Sequence, residues 1–362
     1  MGIPERIRSI CKDPMSLLSE YKDSGVKVIG YTCSYIPEEL IISAGPQPYR
    51  VSNIAANTSS LTPSFVCSFA SATLQNMLEN EHSFNGFVLA HTCDPMWRLY
   101  DILKKRASKP LFLLRVPHNT ESSLSLDFFK MELLRFIRFL EKNFNTEIHA
   151  EALKESVRLC NETRRLLKNI YMLNSEGKFK TTAFDRFQLV LATMWMQKSE
   201  YNAQVKASNF DKEDVCNGVR LHLNGTAIYD LNLIKTVEES GGFIASDDLC
   251  TGSRYFWNNV EESDDPIFAL SKRYINKIPC PSQTPLKKRL KHIDHMIREF
   301  RVQGVITFAK RFCDPILYDI VHIKNMLDKE GIPSIVIDYE NSVQEIGRIK
   351  TRIEAFVESL SG

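Results

Sequence analysis

Gly86 to Arg106 reads GFVLAHTCDPMWRLYDILKKR: a short apolar run, a turn through Thr-Cys-Asp-Pro, then apolar positions at helical spacing. The first part predicts a buried strand and the last a helix, with Cys93 at the junction. Asp-Pro suits a helix start, because the carboxylate can accept from free backbone amides and proline presets the first helical φ. Near the other end, Gly304 to Gly331 (GVITFAKRFCDPILYDIVHIKNMLDKEG) repeats the arrangement, sharing Cys-Asp-Pro at Cys313-Asp314-Pro315 and Tyr-Asp-Ile a few residues later. This is an internal repeat of one α/β unit.

Working outward, KVIGYT (Lys27–Thr32) is a third such strand, ending at Cys33 and followed by the helix opening PEELIISAG. Further apolar strands start at Leu111 (LFLLRVP) and Pro333 (PSIVIDY), as alternating β and α elements of a parallel sheet require. A fourth unit starts with VRLHLNG at Val219, continues through the helix LNLIKTVEESGG, and re-enters a strand, FIAS, before Cys250.

Between these halves the period changes. Leu126, Phe129, Leu133, Phe136 and Leu140 fall on one helical face, as do Leu153, Val157, Cys160 and Leu167 on the next. Phe187 to Met196 is apolar enough to predict a third, more deeply buried helix. The final helix, about Val343 to Leu360, carries Ile346, Ile349, Ile353, Phe356 and Leu360 at helical spacing. The expected organisation is an N-terminal α/β lobe (1–120), a helical connector (121–215) and a C-terminal α/β lobe (216–362) closed by that last helix.

The 362 residues suffice for a large core. With 46 Lys and Arg against 44 Asp and Glu, no broad field draws nucleic acid or anionic membrane, so neither is an expected partner. Charges interrupt the apolar residues at the start of the chain, and no later stretch is long enough to span a bilayer; a cytoplasmic protein is expected. Nine cysteines without an export signal read as thiols or metal ligands rather than a disulfide framework. Asn224-Gly225-Thr226 is a lone glycine turn and no P-loop or GxGxxG occurs, so nucleotide chemistry is not expected in this chain.

In an open α/β sheet, residues at the carboxyl ends of strands converge on one edge. Cys33, Cys93, Cys250 and Cys313 are predicted there, while Cys67 and Cys280 lie in loops leading into helices, so six thiols can face one cleft. Helix N-termini favour the thiolate, and soft thiolates select zinc, copper or iron–sulfur clusters. The paired spacings of a zinc ribbon or ferredoxin are absent from the sequence. Cys11, Cys160 and Cys216 lie away from strand ends and read as small core residues. His91, Glu38 and Glu39 are acid–base candidates, although first-turn helix acids and a structural histidine are equally good readings; no catalytic residue is assigned.

Seven stretches resemble, in order, the motifs of 2-hydroxyacyl-CoA dehydratase and benzoyl-CoA reductase subunits: CSYIPEELIISAG at Cys33, FVCSFA at Cys67, HTCDPMWRLYDI at Cys93, DDLCTGSRYF at Cys250, RYINKIPCP at Cys280, RFCDP at Cys313 and TRIEAF at Thr351. Gly347-Arg348 stands where the family usually has Gly-Gln, and Ile316 where it has His, differences that bear on substrate specificity rather than fold. The resemblance implies two Rossmann-like or flavodoxin-like lobes with an oxygen-sensitive 4Fe-4S cluster in the cleft, bound by Cys67, Cys93 and Cys313. Cys33, Cys250 and Cys280 form a second tier, reminiscent of relatives carrying a double-cubane 8Fe-9S cluster.

The activity so implied is a lyase reaction: one low-potential electron enters the thioester carbonyl of a 2-hydroxyacyl-CoA, and the resulting ketyl radical expels the hydroxyl group to give an enoyl-CoA. An open iron position could bind a substrate oxygen, and amides beside Cys33 and Cys93 are candidates to stabilise the oxyanion. The implied partners are the acyl-CoA, a related subunit in a heterodimer or a second copy in a homodimer, and an ATP-hydrolysing iron–sulfur activator. A reductase of the benzoyl-CoA or double-cubane type is the alternative, and a noncatalytic electron-relay subunit a further one.

Overall fold

The computed structural model describes residues 3–52, 58–176, 181–208, 218–340 and 342–361; Cys216 lies outside them. Among the described residues, eight strands form two four-stranded sheets, and every pairing is parallel. The first holds β1 (Val28–Tyr31), β2 (Gln47–Arg50), β3 (Gly86–His91) and β4 (Leu111–Arg115) in the order β2-β1-β3-β4. The second holds β5 (Val219–Gly225), β6 (Gly242–Asp248), β7 (Gly304–Lys310) and β8 (Ser334–Tyr339) in the order β6-β5-β7-β8. The strand order is therefore the same in both, and each sheet reverses direction beside its first strand. Such a switch point leaves a crevice outside the carboxyl ends of the strands.

The fold is thus α/β with two parallel-sheet lobes, as the repeated units implied. β7 is enclosed along its whole length, whereas the edge strand β4 alternates between buried and more exposed positions. β7 begins on Gly304 because the closing helix, Ser342–Ser361, lies across it: an added Cβ would stand 2.6 Å from Leu360 and 2.9 Å from Phe356. Ile349, Ile353 and Phe356 on that helix are buried against the second sheet.

Two departures from the sequence reading shape the site. β2 is polar and contains Pro48, and so carries no periodic strand signal; as an edge strand it has no further strand to which Pro48 would need to donate. The predicted helix over Phe187–Met196 ends at Ala192, and Thr193–Met196 turns instead. The reason lies in β2: Arg50 N donates to the Met194 carbonyl at 2.8 Å, and Trp195 Nε1 donates to the Arg50 carbonyl at 3.0 Å. The apolar run leaves its helix to cover that edge.

Helices also tie the lobes together. Ala150–Ser175 contacts the helix Glu38–Ser43 on one side and β6 with the turn Ser253–Phe256 on the other. The helix Pro266–Asn276, although it comes from the second half of the chain, packs on Ser125–Phe144 and places Leu270, Tyr274 and Ile275 in the core beneath β4. The two sheets are therefore joined by helices drawn from both halves.

Candidate functional site

The repeated turn places its cysteines as the local chemistry dictates. Cys93 and Cys313 follow β3 and β7 and occupy the cap position before Asp94–Arg106 and Asp314–Lys329; Cys67 stands likewise before Ser68–Glu79. Each sulfur faces the first turn of its own helix, where the amides of Ala70, Met96 and Ile316 favour the thiolates of Cys67, Cys93 and Cys313. The alternative of Asp as the cap does not hold, since Asp94 and Asp314 are already within the first helical turn, and Asp94 pairs with Arg98 at the surface. Cys313 is presented by Phe312, whose φ of 60° is a left-handed conformation rare for a bulky side chain.

Cys67 and Cys313 come from different lobes, and their thiols lie close enough for each to shift the other. The Cys313 thiol, with Lys310 close by, draws Cys67 down to about 6, while Cys313 is held above the ordinary thiol range. Burial pushes Cys93 up to about 12, and the sulfurs of Cys67 and Cys33 add to the effect. Lys310 is enclosed beside this trio, and burial pulls its ammonium below its usual value while the thiols push back. The three thiols thus interact although they enter from three separate helices.

A second trio adjoins the first. Cys280 lies beside Cys250 and draws its thiol well down, and Cys33 is raised by burial beside Cys250. Arg254 Nη2 donates to the Cys250 sulfur at 3.2 Å, and Arg50 Nη1 donates to the Cys250 carbonyl at 3.2 Å. Lys277 Nζ is held by the carbonyl and hydroxyl of Ser34 at 3.0 and 3.1 Å, and burial draws it down to about 7. None of these cations was singled out from the sequence. Arg254 and Lys277 stand near Cys250 and Cys280 in the chain and could have been noticed as flanking charges; Arg50 is brought in by β2 alone.

The acid–base candidates sit otherwise than expected. Glu38 is enclosed by the hydroxyls of Tyr31 and Tyr255, at 2.5 and 2.6 Å, and by Lys198 Nζ at 3.3 Å. Glu39 is equally buried; desolvation would raise it, but Arg164 and Arg273 overcome that and hold it below the usual carboxylate range. Both are first-turn acids of their helix, as the structural reading of the sequence had it, and both are buried in internal polar links. Their helix starts several residues after Cys33, so its amides do not adjoin that thiol. His91 lies edge-on to Trp97 at 4.3 Å and to His118 at 5.6 Å, and burial lowers its pKa.

Among the described residues, no three His, Cys, Asp or Glu side chains close tightly enough to hold a single metal ion. A cubane makes a different demand, since each of its thiolates binds a different iron and the sulfurs stand farther apart than around one ion. The all-thiol donor set fits iron–sulfur ligation on chemical grounds.

Two parallel-sheet lobes of one strand order, with cysteine-bearing turns from both packed into a single cluster, are the architecture of a family of dehydratase and reductase subunits. The chain belongs to the 2-hydroxyglutaryl-CoA dehydratase D-component family, whose model matches residues 33–360. It is 27% identical to the (R)-phenyllactyl-CoA dehydratase beta subunit of Clostridium sporogenes, over 98% of this chain and 97% of that one. It is 26% identical to the (R)-2-hydroxyglutaryl-CoA dehydratase beta subunit of Acidaminococcus fermentans, over 98% of each chain. A benzoyl-CoA reductase subunit of Thauera aromatica is also 26% identical, over 93% of this chain and 92% of its own. No helix among the described residues is long and apolar enough to cross a membrane.

Proposed function

We propose that this chain is the iron–sulfur subunit of a cytoplasmic enzyme that removes water from a 2-hydroxyacyl-CoA to give an enoyl-CoA, with a 4Fe-4S cluster held by Cys67, Cys93 and Cys313. The observation that carries this reading is that three thiols at helix starts, drawn from both halves of the chain, pack into one cluster and lie close enough to shift one another. When bound, such a cluster supplies one-electron chemistry at low potential. The chain's own residues do the rest. Lys310 offsets the negative charge of the thiolates, and the enclosed Tyr339 and Tyr229 keep bulk water from them. The partners are the acyl-CoA, a related subunit, as the beta-subunit names of the relatives suggest, and an ATP-hydrolysing iron–sulfur activator.

A second reading, a double-cubane reductase, is favoured by one specific observation: Cys33, Cys250 and Cys280 form a second interacting trio, and Cys33 lies close enough to Cys93 to affect it. Iron and acid-labile sulfide analysis of anaerobically purified protein, with electron paramagnetic resonance, separates the two. Iron equal to one cubane per chain supports the first reading, twice that supports the second, and no iron sinks both. Enoyl-CoA formed from a 2-hydroxyacyl-CoA with activator, ATP and the related subunit present supports the lyase; reduced product without dehydration rejects it.

A further inference from the structure

Two adjacent carboxylates, Glu38 and Glu39, are 2% and 0% exposed, and both are bound by side chains from distant parts of the sequence. Burying a charge is costly even when it is paired, and well-packed apolar side chains would serve stability as well. What a satisfied polar network adds is a single geometry, because its hydrogen bonds are directional and each one lost strands a partner without water. The partners of these two acids identify what is held in place.

Three stretches of chain carry the second thiol trio, and they are tied to one another in pairs. The stretch of Cys33 meets that of Cys250 where Glu38 Oε2 accepts from the Tyr255 hydroxyl at 2.6 Å, five residues after Cys250. It meets that of Cys280 at three points. Glu39 Oε2 accepts from the Tyr274 hydroxyl at 2.9 Å, Lys277 Nζ donates to Ser34, and the Cys280 amide donates to the Tyr35 hydroxyl at 3.3 Å. The stretches of Cys250 and Cys280 are joined as well, since Arg273 Nη2 donates to the Tyr255 carbonyl at 2.8 Å. The remaining oxygens of the two acids reach the connector: Lys198 donates to Glu38 and, at 2.7 Å, to the Tyr255 hydroxyl, and Arg164 donates to Glu39.

We propose that Glu38 and Glu39 are positioning residues for Cys33, Cys250 and Cys280: through Tyr255 and Tyr274, the two carboxylates set how far the Cys33 sulfur stands from the other two. They act at one remove, by way of tyrosines five residues after Cys250 and six before Cys280. The role is the same whether the three thiols carry iron or stay free. It does not rest on the cluster assigned to Cys67, Cys93 and Cys313.

The test measures how readily Cys33 is bridged to Cys250 or Cys280 in the metal-free full chain under anaerobic conditions; all three are partly exposed. Dibromobimane carries two bromomethyl groups. One cysteine sulfur displaces the first bromide, and either a neighbouring cysteine or added mercaptoethanol displaces the second, so two thioethers form and two bromide ions and two protons leave. Peptide mass spectrometry counts bridged against mercaptoethanol-capped Cys33, and this ratio reports the effective concentration of the neighbouring thiol. Tyr255→Phe removes a hydroxyl and no charge; it lowers the ratio for Cys250 about tenfold, the worth of one hydrogen bond to a charged group. Glu38→Gln lowers it too, and Tyr274→Phe lowers the ratio for Cys280. The bridge between Cys67 and Cys313 keeps its ratio in all three variants, which a general loosening of the fold would not allow. Unchanged ratios at Cys33, an equal fall at Cys67 and Cys313, or no bridge at Cys33 in the unaltered chain overturns the proposal. So does loss of folding in all three variants, which makes the acids structural only. Because no iron is present, a chain that never assembles a cluster still gives a result, and the two readings fail separately.

Discussion

Arg289 Nε donates to Asp248 Oδ2 at 2.7 Å, and both side chains are wholly enclosed. The same guanidinium reaches Asp319 and, at 2.8 Å, Asn224 Oδ1, while Asp248 also receives Arg254 at 3.4 Å. Removing one member of such a network strands the others without water. Arg289→Met is expected to cost about 3–5 kcal/mol of folding stability, measured from urea midpoints. A loss no larger than that of an ordinary surface substitution would mean the network is hydrated.

The same region sets the acid sensitivity. Burial holds His222 down to about 3 and His292 down to about 4, so both are neutral in the folded chain and charge on unfolding. The unfolded state then binds more protons, and their contribution is complete above the ordinary value of 6.5 and lost as pH falls. From there down to pH 4 the two together should remove about 2–3 kcal/mol per pH unit. Asp248 is buried, which opposes its charge, but Arg254 and Arg289 hold it at about 2; its contribution is present above 3.8 and disappears as pH falls towards 2. His222→Asn should flatten the slope between pH 6 and 5 by about half, read from denaturation midpoints. An unchanged slope would assign the effect elsewhere.

Gly252 sits against the Asp247 carboxylate so closely that an added Cβ would overlap it. Asp247 Oδ1 accepts from the amides of Leu249 and Ser253 at 3.0 and 2.8 Å and thereby shapes the turn carrying Cys250. Gly252→Ala should cost about 1–3 kcal/mol and increase alkylation of Cys250 relative to the unaltered chain. Unaltered Cys250 reactivity in the folded variant would show that the turn tolerates the displacement.

Cysteine replacements separate ligands from core residues. Cys93→Ser and Cys313→Ser are expected to abolish the visible absorption of anaerobically reconstituted protein. Cys160→Ser, within the buried face of Ala150–Ser175, should retain it. Equal loss in all three would reject the assignment.

Much of the architecture was legible because two copies of one unit announce it: the Cys-Asp-Pro turns at Cys93 and Cys313 each follow an apolar strand and open an amphipathic helix, a pattern local enough to read directly. β2 was not legible, since Gln47, Pro48 and Arg50 are polar or strand-averse and become buried only through the turn at Met194 and Trp195. For the same reason the cations of the cleft stayed hidden. Arg50 and Cys250 lie 200 positions apart in the chain, and no local periodicity encodes their contact. For Glu38 and Glu39 the first-turn position was legible but the burial was not, since only tertiary packing encloses these two with tyrosines and basic partners.

The charged line that runs from Cys250 through Arg254, Asp248 and Arg289 ends at Asp319, on the helix that starts after Cys313. It acts as a strut between the two sulfur groups. The turn that carries Cys250 and the helix that follows Cys313 are therefore fixed to each other by charge, inside the protein, and not only by apolar packing.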